Sequence, residues 1–359
     1  MRLNRLAAAA AGAALAGLLG AAPAAADPAG PTAIAGSGDY TTQDVLNAIA
    51  GVISAGSTSV GSWNGDLPGT ITPKNTASCT NIARPRGSNE GLVALRRSLD
   101  GTGCLDFARS SDGPVDPDPA GRLQWVPFGL DGVTMAAGPL TGTDATAIGG
   151  AFDLAELRAM YRDGAAMAGT DGVTYDPWPG DGLTGTPIHL LVPAGESFFA
   201  QAMGISPSIP PPWVSTTFTP TGGMSANPVV GDNGKAVQLD HNAIMPFSTA
   251  QWIAQASGHN DRRHGARLQT VNGIAPITAG RLNGSFPGDL LREVFNVIPF
   301  AATTVTGTPL YNVFVATNTL NPFRLCGRSS LITEYGFNLL TDAPKGHTCG
   351  AVAPDLRGN

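Results

Sequence analysis

The chain has 359 residues, a net charge of −6 and 13% charged residues, with 47 Gly and 29 Pro against a 42% hydrophobic fraction. The acidic balance excludes the basic stripe of a nucleic-acid-binding protein. The apolar fraction excludes a disordered chain, and the length allows two lobes in a loop-rich globular protein.

Residues 1–26 carry Arg2 and Arg5, an apolar run through Leu19 and small residues ending at Ala26. Such a segment reads as a secretory signal peptide, with the mature chain starting near Asp27. No Cys stands near that point, so a freely secreted product is expected rather than a lipid-anchored one. Export also permits oxidation of the four cysteines. Of the three possible pairings we favour Cys79 with Cys104 and Cys326 with Cys349, each closing a loop of about 25 residues worth roughly 3 kcal/mol.

The first element of the mature chain is a short strand in "PTAIAGSGDYTTQDVLNAIAGVI", followed by a Gly-Ser-Gly turn and a helix from about Thr42. Val45, Leu46, Ile49, Val52 and Ile53 recur at helical spacing, and Thr41 or Thr42 can cap that helix. "RPRGSNEGLVALRRSLDG" predicts a second helix with Ser88 as N-cap, Leu92, Leu95 and Leu99 as its apolar stripe, and Gly101 in the left-handed position after it. "CLDFARSS" reads as a buried strand running into a polar turn, and "LQWVPFGLDGVTMAA" as a pair of extended segments. In "FDLAELRAMYRDG" Asp153 caps a helix, with Glu156 at the third position. "PIHLLVPAGESFFAQAMG" and "NAIMPFSTAQWIAQASG" are further strand, turn and helix units, the second with a Ser248 to Gln251 capping box. "VFNVIPF" is a late strand, and a helix between Cys326 and Leu340 closes the chain.

This alternation predicts α/β layers. Polar turns fall at four strand-to-helix junctions, Gly36 to Thr42, Arg86 to Asn89, Arg109 to Asp112 and Gly195 to Ser197. Helix N-termini present free N–H groups and partial positive charge, so converging turns of this kind suit a small anion.

"GSGDYTTQDV", "RPRGSNEGLVAL", "DFARSSDGP", "PFSTAQWIAQ" with "DRRHGARL", and "ITEYGFNLL" resemble, in order, the PstS-like family. These are secreted proteins related to the phosphate-binding component of bacterial phosphate ABC transporters. The resemblance implies an α/β, two-lobed class II periplasmic-binding-protein-like fold, residues 27–128 with 298–359 forming one lobe and 129–297 the other. It further implies an oxyanion ligand with phosphate first, an ABC transporter permease as partner, a monomer, and no cofactor or metal. Carried over by position, Gly38, Thr41 and Thr42 form the first anion loop, and Gly87 and Ser88 the second. Ser110, Ser111 and Asp112 match the loop whose carboxylate accepts a phosphate proton, and Gly195, Glu196 and Ser197 the fourth. The family's fourth loop has an arginine and a Gly-Ser-Gly-Thr turn where this chain has "LVPAGESFF", so Arg109 is the expected replacement for the missing positive charge.

Glu196 and Glu90 oppose an anion wherever they face it, about 4 kcal/mol at 4 Å with an effective dielectric near 20. Their orientation therefore separates phosphate from a less charged ligand such as a sugar. "RRHGAR" resembles the signature of histidine acid phosphatases, which makes a hydrolase using His264 one alternative. A surface or inter-lobe ion network of His264 and its arginines is the favoured role for this segment, and an extracellular interaction protein without ligand is the third reading. Nucleophile-elbow, H-E-x-x-H and Walker patterns are absent, so no catalytic residue is assigned. Among Trp63, Trp125, Trp178, Trp213 and Trp252 a sugar-stacking platform is one possible use, with packing expected for most.

Overall fold

The computed structural model describes residues 27–359 except 55–57, 140–147, 149–150, 170–171, 179–184, 220–225, 316–320, 322 and 343–345, so the signal-peptide segment lies outside it. The elements that position the cleft are β1 (Ile34–Gly38), α1 (Gln43–Ser54), β2 (Val60–Ser62), α2 (Gly87–Arg97), β3 (Phe107–Ser110) and β4 (Leu123–Ala137). They continue as α3 (Leu154–Asp163), β5 (Thr174–Pro177), β6 (Thr186–Leu191), α4 (Phe198–Met203), β7 (Val214–Ser215) and α5 (Lys235–Leu239). The last are β8 (Ala243–Ser248), α6 (Thr249–Ala256), β9 (Leu291–Pro299) and α7 (Ser329–Glu334).

One continuous sheet runs β2-β1-β3-β9-β4-β8-β6-β5. The strands at both ends are parallel, as expected where helices connect them. β4 and β9 are antiparallel to each other from Leu291 opposite Gly132 to Pro299 opposite Leu123. β9 pairs with β3 through Phe295 to Val297, and β4 pairs with β8 through Val133 to Ala137. Thus two long strands belong to both halves, which is the two-lobed class II arrangement. Separate apolar clusters fill the halves: Ile34, Leu46, Phe107, Phe128 and Phe337 in one, and Met135, Leu157, Tyr161, Ile188 and Phe199 in the other. Ala250 and Ala254 of α6 join the first cluster although α6 directly follows β8.

Several local expectations change. "LQWVPFGLDGVTMAA" is one 15-residue strand, buried throughout, and not two segments. Its Pro127 and Gly129 lie where the pairing with β9 shifts between Val294 and Phe295, so the proline falls at an irregular point of the ladder. The left-handed cap beyond α2 is Gly103, after a wide turn through 98–102, rather than Gly101. Asp153 and Ser248 cap α3 and α6 as expected, accepting from Ala155 N–H and Gln251 N–H. Both favoured disulfides, Cys79 with Cys104 and Cys326 with Cys349, are present.

Candidate functional site

All four polar turns face the junction of the two halves. In the first, Asp39 is fully buried and its carboxylate collects the donors. Thr41 Oγ, Thr42 N and Thr42 Oγ each donate to Asp39 Oδ2 at 2.8 Å, and Ser111 Oγ donates to Oδ1 at 2.8 Å. The threonines expected to cap α1 or meet an anion thus serve a carboxylate of the same chain, itself placed where the α1 dipole favours negative charge. Ser111, from the third turn, is brought into the same cradle.

Arg109 does not face this cradle. Its side chain is fully buried and donates to Asp39 O at 3.0 Å, Ser62 Oγ at 2.6 Å, Trp63 O at 2.9 Å and Gly38 O at 3.3 Å. It therefore holds the first turn from behind, and burial draws its pKa down to about 10. Ser110 also turns inward on its own loop, exchanging bonds with Asp112 O and N.

In the second turn, α2 begins at Gly87 with Arg86 as N-cap and no side-chain cap. Ser88 lies inside the first turn and accepts from Ser111 N at 3.1 Å, so it links the second turn to the third instead of capping. Glu90 is exposed and accepts from Arg86 N.

The second and fourth turns touch directly. Asn89 N donates to Gly195 O at 3.2 Å. A Cβ on Gly87 would stand 2.9 Å from Gly195 O, and one on Gly195 would stand 3.1 Å from Arg86 O. Both glycines also have positive φ, so close approach and backbone conformation both require them. Asp112 spans the same gap, with Ser197 N at 3.0 Å from either carboxylate oxygen and Phe198 N at 2.6 Å from Oδ1. Glu196, in contrast with Glu90, is buried and faces the junction.

The cation beside Glu196 is Arg292, which the sequence analysis missed. Its Nη1 lies 3.4 Å from Glu196 Oε2, its Nη2 3.0 Å from Asp131 Oδ2, and Nη2 donates to Thr41 Oγ at 3.2 Å. Asp131 further accepts from Gly132 N and Ala250 N. A buried Arg at the start of an apolar strand, in "LREVFNVIP", was the available signal.

Burial raises the pKa of Asp112, Asp131 and Glu196, and repulsion from Asp39 lifts Glu196 further. Glu196 Oε1 has no hydrogen-bond partner among the described residues.

A second ionic group adjoins the first. Arg262 Nη2 lies 2.7 Å from Asp44 Oδ2 on α1 and 2.6 Å from Asp232 Oδ2 in the other half. Gln251 connects the two groups, accepting from Arg262 and donating to Thr41 O. Both carboxylates meet the same Arg262 nitrogen; desolvation, with repulsion from Asp66 and Asp44, pushes Asp232 up to about 7. Of the favoured surface or inter-lobe ion network, Arg262 forms a buried part between Asp44 and Asp232, Arg263 pairs with Asp261 at the surface, and His264 is exposed in the following turn.

Among the described residues no group of three or more His, Cys, Asp or Glu is arranged to hold a metal. Nor is any helix among them long and apolar enough to cross a membrane.

No family model and no curated protein matches the chain. Solved structures do. An ABC-type phosphate transport receptor from Vibrio cholerae is similar at 13% identity and a TM-score of 0.48, over 85% of this chain and 99% of that one. A putative phosphate ABC transporter substrate-binding protein with bound phosphate, from Clostridium perfringens, gives 13% and 0.48 over 85% and 98%. An OxyR variant from Corynebacterium glutamicum gives 11% and 0.41 over 90% and 71%. Likeness at this level concerns the arrangement of elements, and the ligand question rests on the residues above.

Proposed function

We propose that the chain is an exported solute-binding protein that closes two lobes on one small polar ligand, with phosphate in a protonated form as first candidate. The carrying observation is that donors of the first, third and fourth turns already hold two buried carboxylates, Asp39 and Asp112. A carboxylate is an oxyanion, so donors placed to hold one meet the charge and spacing that a phosphate oxygen requires. Arg86 is the cation we assign to the ligand: its Nε has no partner among the described residues, and its charge acts on the neighbouring Tyr40. The acids demand protons in return. A phosphate that keeps P–OH groups donates to Asp112 or Glu196, whereas fully ionised sulfate has nothing to donate. In this reading the lobes are 27–128 with 298–359, and 129–297, and the protein is a monomer that serves an ABC permease.

A second reading takes a neutral, hydroxyl-bearing ligand. It is favoured by the excess of acids, since Asp39, Asp44, Asp112, Asp131, Glu196 and Asp232 outnumber Arg262 and Arg292 around the junction. His264, exposed and outside this junction, lends the hydrolase alternative no support.

Thermal-shift titrations of the secreted chain with phosphate, sulfate and small polyols test the assignment. Phosphate should stabilise saturably, by about 2.7 kcal/mol at 100 times its dissociation constant, and sulfate should not. Absence of a phosphate shift between pH 5 and 8 overturns the first candidate, and a polyol shift in its place establishes the second.

A further inference from the structure

The five tryptophans separate by environment. Trp63 and Trp125 are buried, Trp213 and Trp252 are partly covered, and Trp178 is 48% exposed. Trp178 follows β5 at the point where that strand leaves the edge of β6, with its N–H still donating to Ile188 O. The same edge is taken up again by β7, where Val214 stands opposite Leu190. Trp178 at the end of one strand and Trp213 at the start of the other flank the gap, which opens into a cavity of about 410 Å³.

The walls of this cavity are fixed and polar at selected points. Trp213 is anchored by its indole N–H to Tyr161 O, with its ring against Gly164. His189 Nδ1 is paired with Asp240 Oδ2, while Asp240 Oδ1 accepts from Asn242 N at 3.1 Å. The carboxylate therefore sets the imidazole orientation and leaves Nε2 without a partner among the described residues. Thr217 adds a hydroxyl-bearing side chain to the lining, while the Ser215 hydroxyl is engaged with Thr217 O and N and can only accept further. Hydrogen bonding to Asp240 raises the His189 pKa.

We propose that this cavity is a saccharide site, separate from the inter-lobe cleft, in which a pyranose lays its C–H face on Trp178 and is hydrogen-bonded by His189 and the neighbouring hydroxyls. The charge balance decides the class. Among the described residues an anion would find no Lys or Arg in the lining, and an organic cation would find the carboxylate already committed to His189. A neutral ring with hydroxyls matches an aromatic platform rimmed by a few fixed donors and acceptors. A cavity of this size lies in the usual range for small ligands.

The test is a titration with methyl glycosides of glucose, galactose and N-acetylglucosamine into the millimolar range, followed by tryptophan emission and calorimetry. Tetramethylammonium chloride serves as the cation control. At least one glycoside should bind saturably. Trp178→Ala should weaken it at least about tenfold, and Asp240→Asn several-fold, with the melting temperature of Trp178→Ala unchanged. Phosphate shifts should be the same in Trp178→Ala and the parent chain, which keeps this site apart from the cleft. The proposal is overturned if no glycoside binds, if binding survives Trp178→Ala, or if tetramethylammonium alone quenches.

Discussion

Asp112 Oδ1 lies 2.6 Å from the N–H nitrogen of Phe198, so a carboxylate carried by one lobe satisfies the start of a helix in the other. The same carboxylate receives Ser197 N, and all these groups lie at the junction. Removing the acceptor strands two N–H groups, each at roughly 1–3 kcal/mol when buried. Asp112→Ala should therefore lower stability by about 2–4 kcal/mol, and Asp112→Asn by about 1 kcal/mol because it keeps an oxygen there. Chemical denaturation measures both. Small-angle scattering should show Asp112→Ala more open than the parent chain, and equal radii of gyration would deny Asp112 a part in closure.

Gly87 and Gly195 test the contact between the second and fourth turns without touching a charge. Alanine at Gly87 meets a positive φ and a backbone oxygen 2.9 Å away. The conformational penalty alone is about 1–2 kcal/mol. Gly87→Ala should lose at least that much, measured by denaturant midpoint, and should weaken ligand binding, whereas Gly113→Ala, with open space around its Cβ position, should be near neutral.

Stability should fall as pH rises from about 4 to about 7. The sign follows from Asp232, whose folded-state pKa is raised from 3.8 to about 7 by burial, with repulsion from Asp66 and Asp44 adding to it. Between those values the folded chain holds a proton that the unfolded chain has lost, so raising pH favours unfolding. Each unit corresponds to about 1.4 kcal/mol, which bounds the contribution at about 4 kcal/mol. Asp232→Asn should flatten this limb of the pH profile, and an unchanged slope would assign it to Asp112, Asp131 or Glu196.

The hydroxyl-bearing turns of this site were legible in the sequence, as was the carboxylate of Asp112, but Asp39, Asp131 and Arg292 were not. Thr41, Thr42, Ser88, Ser111 and Ser197 stand in polar turns next to helices, a pattern that local chemistry explains. Asp39 was passed over within "GSGDYTT", and Asp131 and Arg292 sit inside strands, where only a charge within an apolar run marks them. Their partners are far away in the chain: Arg292 reaches Thr41 and Glu196, and Asp131 reaches Ala250. The strand β4 was hidden for a related reason. Pro127, Gly129 and Gly132 resemble breakers when read alone, yet β9 supplies a partner ladder with an irregularity beside the proline. Caps such as Asp153 were readable because both partners lie within one turn.

Arg292 is the sole guanidinium that Asp131 and Glu196 share among the described residues. Arg292→Met should cost about 3–5 kcal/mol at pH 8, the usual price of leaving buried partners unpaired. The loss should shrink at pH 5, because burial raises the pKa of both acids and each takes up a proton more readily once the cation is gone. Urea denaturation at the two pH values reads this difference directly. An equal loss at both would mean that the arginine acts through packing on Phe198, whose ring lies 5.7 Å from the guanidinium carbon.

Glu196→Gln separates the two ligand readings, because the raised pKa makes the parent side chain neutral at low pH and charged only well above the ordinary carboxylate range. At pH 5 the substitution should leave phosphate affinity nearly unchanged. As pH rises and Glu196 ionises, it repels a bound anion, by up to about 4 kcal/mol at 4 Å with an effective dielectric near 20. The variant should then hold phosphate more tightly than the parent. Phosphate's own titration is common to both proteins and cancels in the comparison. A neutral polyol reverses the expectation: it draws on Glu196 as an acceptor, so Glu196→Gln should weaken it, and more so at high pH, where the parent carboxylate is the stronger acceptor. Opposite signs in the two cases make calorimetry at pH 5 and pH 9 a decision between them.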